Sequence, residues 1–172
     1  MNLRDVLLAE HSKAQCMKVV RWVGSSQQRF DELFSHFTGY EYRVIQRAAW
    51  PVSYAVQAHP GLIKKHFASL VKMLKRPGVH AAVKRNAIRL MQDIEIPARF
   101  HGDIMNSCFG YIASHTEPAA VKAFSLTVIE NLSKSYPGIL QELKLIIEER
   151  WPYETPAFHS RAKKILRRIN KV

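Results

Sequence analysis

Val44-Ile45-Gln46-Arg47-Ala48 runs on to His59-Pro60-Gly61-Leu62-Ile63, and Val121-Lys122-Ala123-Phe124-Ser125 runs on to Tyr136-Pro137-Gly138-Ile139-Leu140, with proline sixteen positions after the leading valine in both. A third copy, Val83-Lys84-Arg85-Asn86-Ala87, reaches Ile96-Pro97-Ala98 with proline after fourteen. Self-similarity at a fixed period of roughly 20 to 50 residues marks stacked supersecondary units that cannot bury their apolar faces alone. The small residues Ala48, Ala87, Ser125 and Ala162 follow one another at intervals of 39, 38 and 37. A small side chain recurring at one position predicts helices that cross closely there.

Each unit reads as two helices. Val83, Ala87, Leu90, Met91 and Ile94, or Val121, Phe124, Val128 and Leu132, recur at the spacing of one helix face. The second helix of each pair starts at Pro60, Pro97 or Pro137, where a missing N–H breaks no intrahelical bond. The pattern predicts helices over 3–10, 12–23, 26–37, 40–58, 61–75, 79–94, 98–114, 117–134, 138–150 and 156–170, with no alternating strand pattern. Breaks fall at Gly24-Ser25-Ser26, Thr38-Gly39, Arg76-Pro77-Gly78 and Trp151-Pro152-Tyr153, and Pro51 predicts a kink inside the fourth helix.

Paired helices of 37 to 40 residues, with a small residue in the first helix and proline or glycine between the two, resemble HEAT and armadillo repeats. The resemblance covers roughly residues 40–170 and extends to small stand-alone bacterial HEAT-repeat proteins of unassigned function. It implies an all-α, right-handed superhelical solenoid of about four antiparallel helix pairs with a curved binding surface, and it implies no reaction. On that reading 1–172 form one domain, with 1–38 as divergent N-terminal capping helices and 39–172 as the repeats. The apolar Phe30, Phe34 and Phe37 near one end make stacking of two solenoid ends an option.

Composition bounds the remaining classes. The chain of 172 residues is 47% apolar with only 7 glycines and 8 prolines, which excludes global disorder and supports a substantial core. No apolar run approaches the ~18 residues of a membrane span, and the N-terminal Met-Asn-Leu-Arg-Asp has no signal-peptide character, so a cytoplasmic protein without membrane contact is expected. Cys16 and Cys108 sit among apolar residues without a CxxC pattern, as two buried thiols would.

Charge carries the functional signal. Lys and Arg total 26 against 14 Asp and Glu, a net charge of +12. Between Glu41 and Asp93 there is no acid, while Arg43, Arg47, Lys64, Lys65, Lys72, Lys75, Arg76, Lys84, Arg85 and Arg89 supply ten positive charges. A second basic group, Arg161, Lys163, Lys164, Arg167, Arg168 and Lys171, follows Glu154 without an acid. Such a block reads either as a solvated face or as a contact for a polyanion or an acidic protein. Arg43, Arg47, Trp50 and Tyr54, spaced 4, 3 and 4 apart, share one helix side. Arginine beside aromatic rings clamps phosphates and stacks on bases, yet the same group also seals helix junctions.

Catalytic signatures are missing. The eight histidines show no HExxH and no zinc spacing, there is no Walker loop, GxGxxG or GxSxG, and neither metal nor cofactor is expected. Gly24-Ser25-Ser26 runs into Gln27-Gln28-Arg29, unlike the GSSxMPxKxNP loop of the fumarase and adenylosuccinate lyases. Alkylpurine DNA glycosylases built from HEAT-like repeats share the repeat type, basic charge and tryptophans. Asp93 is the carboxylate beside the basic block, but no linear motif carries residues across. The expectation is a non-catalytic scaffold that binds an acidic protein or peptide in a basic groove. The contact residues are Arg43, Arg47, Trp50, Tyr54, Lys64, Lys65, Lys72, Lys84, Arg85 and Arg89. Nucleic-acid binding is the alternative.

Overall fold

The computed structural model describes residues 2–170; Lys171 of the C-terminal basic group lies outside them. The described residues form ten α-helices and no strand: α1 (Leu3–Ala9), α2 (Lys13–Val23), α3 (Gln27–Phe37), α4 (Tyr42–Ala58), α5 (Phe67–Leu74), α6 (Ala81–Met91), α7 (His101–Ala113), α8 (Ala119–Leu132), α9 (Ile139–Arg150) and α10 (Pro156–Ile169). None of these helices is long and apolar enough to cross a membrane.

Local chemistry sets the helix starts. Asn2, Ser12, Ser26 and Thr155 precede α1, α2, α3 and α10, and each side chain accepts a hydrogen bond from a backbone N–H three residues on. His80 caps α6 with a shorter reach, its Nδ1 accepting from the Ala82 N–H two residues on at 3.1 Å. Where the chain enters through proline the first turn tightens instead. Pro60–His66 is a 3₁₀ segment leading into α5, rather than part of one helix over 61–75, and it opens with the Leu62 N–H bonded to the His59 carbonyl at 3.1 Å. A shorter 3₁₀ turn, Ala98–Phe100, likewise precedes α7. Pro51 stands inside α4, which continues through it although Pro51 has no N–H to offer the Arg47 carbonyl. Gly24, ending α2, and Gly78, in the turn before α6, have φ of +50° and +71°, the left-handed region that glycine enters without strain.

The chain divides into two compact units, residues 1–94 and 95–172. That boundary falls inside the third sequence repeat and assigns α6 to the first unit and α7 to the second. Within each unit, side chains meet their counterparts about one period away. Gln27 reaches Leu62 and Asp31 reaches His66; Tyr42 meets His80, Tyr54 meets Arg89, and Gln57 meets Asp93. In the second unit His101 meets Tyr136, His115 meets Arg150, and Arg161 meets Thr127. The periodicity extends to the N-terminus, since Arg4 bonds Glu41 and Arg47 bonds the Leu7 and Leu8 carbonyls. Thus α1 and α2, broken at Glu10–Ser12, together occupy the place that the single helix α4 fills in the next pair.

Ala48, Ala87, Ser125 and Ala162 are all fully buried, as close helix crossing requires. Ser125 satisfies its hydroxyl by donating to the Val121 carbonyl at 2.8 Å. Phe30, Phe34 and Phe37 correct an expectation: they are buried in the first unit rather than exposed at an end, with His66 stacked on Phe34 at 4.3 Å. An amphipathic helix packed on both neighbours has no apolar face left to offer. Cys16 and Cys108 are free, buried thiols; loss of hydration pushes them up to about 11 and about 12, so both stay protonated.

Candidate functional site

The basic block of the sequence divides over two sets of elements in the first unit. Lys64 and Lys65 stand on the 3₁₀ segment Pro60–His66 and Lys72 on α5, all exposed. Lys65 is ion-paired with Asp31 at 2.5 Å. Partial burial would raise the Asp31 carboxyl, but hydrogen bonds from Lys65, Gln27 and His66, with the Lys65 charge, outweigh it and hold the group at about 2. The other seven residues stand on α4 and α6, which pack side by side in parallel, as their bonded pairs Tyr42–His80, Tyr54–Arg89 and Gln57–Asp93 require.

These seven do not all serve one purpose. The Arg47 guanidinium points back to α1 and donates to the Leu8 carbonyl at 2.7 Å and the Leu7 carbonyl at 3.2 Å, satisfying orphan acceptors at a helix end. Lys84 is half-buried on α6, and Arg43 is exposed in the first turn of α4 with no hydrogen bond or ion pair among the described residues. Trp50, Tyr54, Arg85 and Arg89 come together.

Trp50, Arg85 and Arg89 line an open pocket of about 320 Å³ with His11 and Asn86. His11, from the turn between α1 and α2, lies 6.1 Å from Trp50 between ring centroids, and Trp50 lies 6.1 Å from Tyr54, which stands behind Arg89. Arg89 is held in place twice: its Nη2 donates to the Tyr54 hydroxyl at 3.1 Å, and its guanidinium carbon sits 4.7 Å from the Tyr54 ring centroid. Hydrogen bonding from Arg89, then from Trp50, together with the charges of Arg89 and Lys13, lowers the Tyr54 phenol below its ordinary range against the opposing effect of burial. Asn86 is 2% exposed and donates an amide N–H to the Ala82 carbonyl at 2.9 Å. Arg85 is exposed and makes no hydrogen bond or ion pair among the described residues. Among the described residues, no carboxylate lines this pocket. Asp93, one turn beyond Arg89, is exposed and accepts from Gln57 at 3.1 Å.

His11 and Asn86 are the residues that charge and motif reading passed over. The signal for His11 was nevertheless present: His11, Trp50 and Arg89 stand 39 and 39 apart, equivalent positions in three successive repeats. Among the described residues, no group of three His, Cys, Asp or Glu side chains is placed to hold a metal ion. A second pocket of the same unit, about 280 Å³, opens at the N-terminal ends of α4 and α6, with Met73, Val83 and Tyr42 in its walls and the fully exposed Tyr40 at its edge.

The period, the buried small residues and the side-by-side helices are what a repeat of paired helices requires. Set against known protein families, residues 3–169 match the HEAT repeat domain. The chain belongs to the HEAT-repeat family. The match takes in α1 to α3 as well as the later pairs, in keeping with the contacts that tie Arg4 and Leu8 to α4 one period on. No curated protein and no solved structure matches the chain. HEAT repeats generally mediate protein interactions, and the family is generally non-enzymatic.

Proposed function

We propose that this HEAT-repeat protein is a non-catalytic, cytoplasmic scaffold that recognises an acidic protein or peptide through a basic groove on α4 and α6. The observation that carries the reading is the pocket at Trp50, in which Arg85 and Arg89 meet without a carboxylate in the lining. Uncompensated arginines beside an aromatic wall favour a negatively charged partner. Arg43, Trp50, Tyr54, Lys84, Arg85 and Arg89 are the proposed contact residues, with Arg47 setting the position of α1 beside them. Lys64 and Lys72 extend the positive field from other elements of the unit, while the charge of Lys65 is matched by Asp31.

A second reading rests on the same rings: Trp50 and Tyr54 beside arginine also suit bases and phosphates of nucleic acid. Fluorescence anisotropy separates the two. A labelled glutamate-rich peptide, duplex DNA, single-stranded DNA and RNA are each titrated from low to physiological salt beside a similarly basic control protein. The scaffold reading expects the peptide to bind at physiological salt above the control, and the double variant Arg43→Glu, Arg85→Glu to lose that binding. Duplex binding above the control, with a steep salt slope and indifference to sequence, transfers the site to nucleic acid. Peptide binding no better than the control, or unchanged in the double variant, sinks the scaffold reading.

A further inference from the structure

We infer that the pocket formed by His11, Trp50, Arg85, Asn86 and Arg89 is a subsite for a phosphate monoester on a side chain of the acidic partner; the partner rests on the reading above, whereas the chemistry of the pocket rests on its own lining.

Charge is the first argument. Arg85 and Arg89 contribute two positive charges to one pocket, and no lining residue is acidic. One carboxylate neutralises one of them. A phosphate monoester carries about −1.5 to −2 near neutral pH and three acceptor oxygens, which matches both guanidiniums. A phosphodiester of a nucleic-acid backbone carries a single charge per phosphate and leaves the second arginine uncompensated. The count therefore selects a monoester over both a plain carboxylate and a polynucleotide track.

Pre-organisation is the second. The Tyr54 hydroxyl and ring hold Arg89 on one side, so little side-chain freedom remains to be lost on binding. Asn86 is fixed by its bond to the Ala82 carbonyl, and Arg85, four residues before Arg89 on the same helix, has no competing partner among the described residues. The aromatic walls complete the site. His11 and Trp50 are tilted 51° to one another with centroids 6.1 Å apart, and a ring or alkyl stem carrying the phosphate can lie against them while its oxygens face the guanidiniums.

Three small probes resolve the claim on the full-length protein by calorimetry and Trp fluorescence: phenyl phosphate, methyl phenyl phosphate and phenylacetate. They share a ring and differ in charge and geometry. Phenyl phosphate is expected to bind about tenfold or more tightly than either monoanion, and Arg85→Ala to weaken it about tenfold, the scale of one lost charge-assisted interaction. Arg85→Lys restores part of that loss. Equal affinity for all three probes, or binding of phenyl phosphate indifferent to Arg85→Ala, overturns the inference.

The glutamate-rich peptide, with and without one phosphotyrosine, then tests the carrier. Tighter binding of the phosphorylated form, lost in Arg85→Ala, supports it. If both forms bind alike and Arg85→Ala changes neither, the inference fails while the scaffold reading stands. If phenyl phosphate binds as expected and neither peptide does, assignment of the phosphate to an acidic peptide partner is overturned. Duplex DNA competing with phenyl phosphate more strongly than the phosphopeptide overturns the monoester assignment as well.

Discussion

The two units use the same repeat, and one cluster of charges in each is handled in the opposite way. In the second unit, the cluster around Glu154 is sunk into the interior and closed on itself. Lys122 on α8 bonds the Glu154 Oε1 at 2.5 Å, Arg150 at the end of α9 bonds the same oxygen at 3.0 Å, and all three side chains are about 4–5% exposed. Arg150 also donates to His115 in the turn between α7 and α8 and lies over the Tyr153 ring, so the cluster ties together that turn, α8, α9 and the segment after it. In the first unit, Arg85 and Arg89 stand at an open pocket with aromatic neighbours and no acid in its lining. A charge buried with its counter-ion serves the fold; a charge held at a surface without one is available to a ligand.

Removing one partner of the buried cluster should produce the largest effect. Glu154→Ala leaves Lys122 and Arg150 inside without an anion, and a loss of about 3–5 kcal/mol is expected in denaturant unfolding. A midpoint equal to wild type would show that the cluster is not structural and would erase the contrast. Next comes the small-residue position shared by the repeats. Ala87→Leu forces extra volume into a fully buried crossing and should cost about 1–3 kcal/mol, measured in the same way. Ser53 is buried in α4 and its Oγ has no hydrogen-bond partner among the described residues, so Ser53→Ala should stabilise the protein by about 1 kcal/mol.

Acid sharpens the comparison further. The Asp31 carboxyl is depressed to about 2 in the folded state, against about 4 unfolded. Its contribution is therefore complete above pH 4, and is lost as the pH falls towards 2. Asp31→Asn should flatten the acid limb of a stability–pH profile over that window, and an unchanged limb would assign it to other carboxylates. The smallest effect is expected at the pocket. Arg85→Ala should change stability by no more than about 0.5 kcal/mol, because Arg85 is exposed and its side chain makes no hydrogen bond or ion pair among the described residues. A large loss there would make Arg85 structural and remove the pocket from consideration as a binding site.

Much of the fold is legible in the residues themselves. Ala48, Ala87, Ser125 and Ala162 announce the crossings, and the proline-led segments announce where each second helix begins. The reading falls short where a side chain must choose between neighbours. Arg47 and Trp50 stand on the same side of α4 by spacing, yet Arg47 bonds the end of α1 while Trp50 lines the pocket. The phenylalanines of α3 look free to form a sticky end until α4 and the segment beginning at Pro60 are seen to pack against that helix and bury them.

What the sequence by itself determined is the period: which residues occupy equivalent places, which helix faces are apolar, and that ten positive charges lie between Glu41 and Asp93 without an acid. These follow from helix geometry, which assigns faces from spacing alone. What only the tertiary structure decided is which charges meet. Lys122 and Arg150 find Glu154 inside the second unit, whereas Arg85 and Arg89 find Trp50, His11 and no acid in the first. The reason is that those meetings join side chains across packed helices, where rotamer, burial and the available partner jointly fix the outcome and residue spacing supplies none of the three.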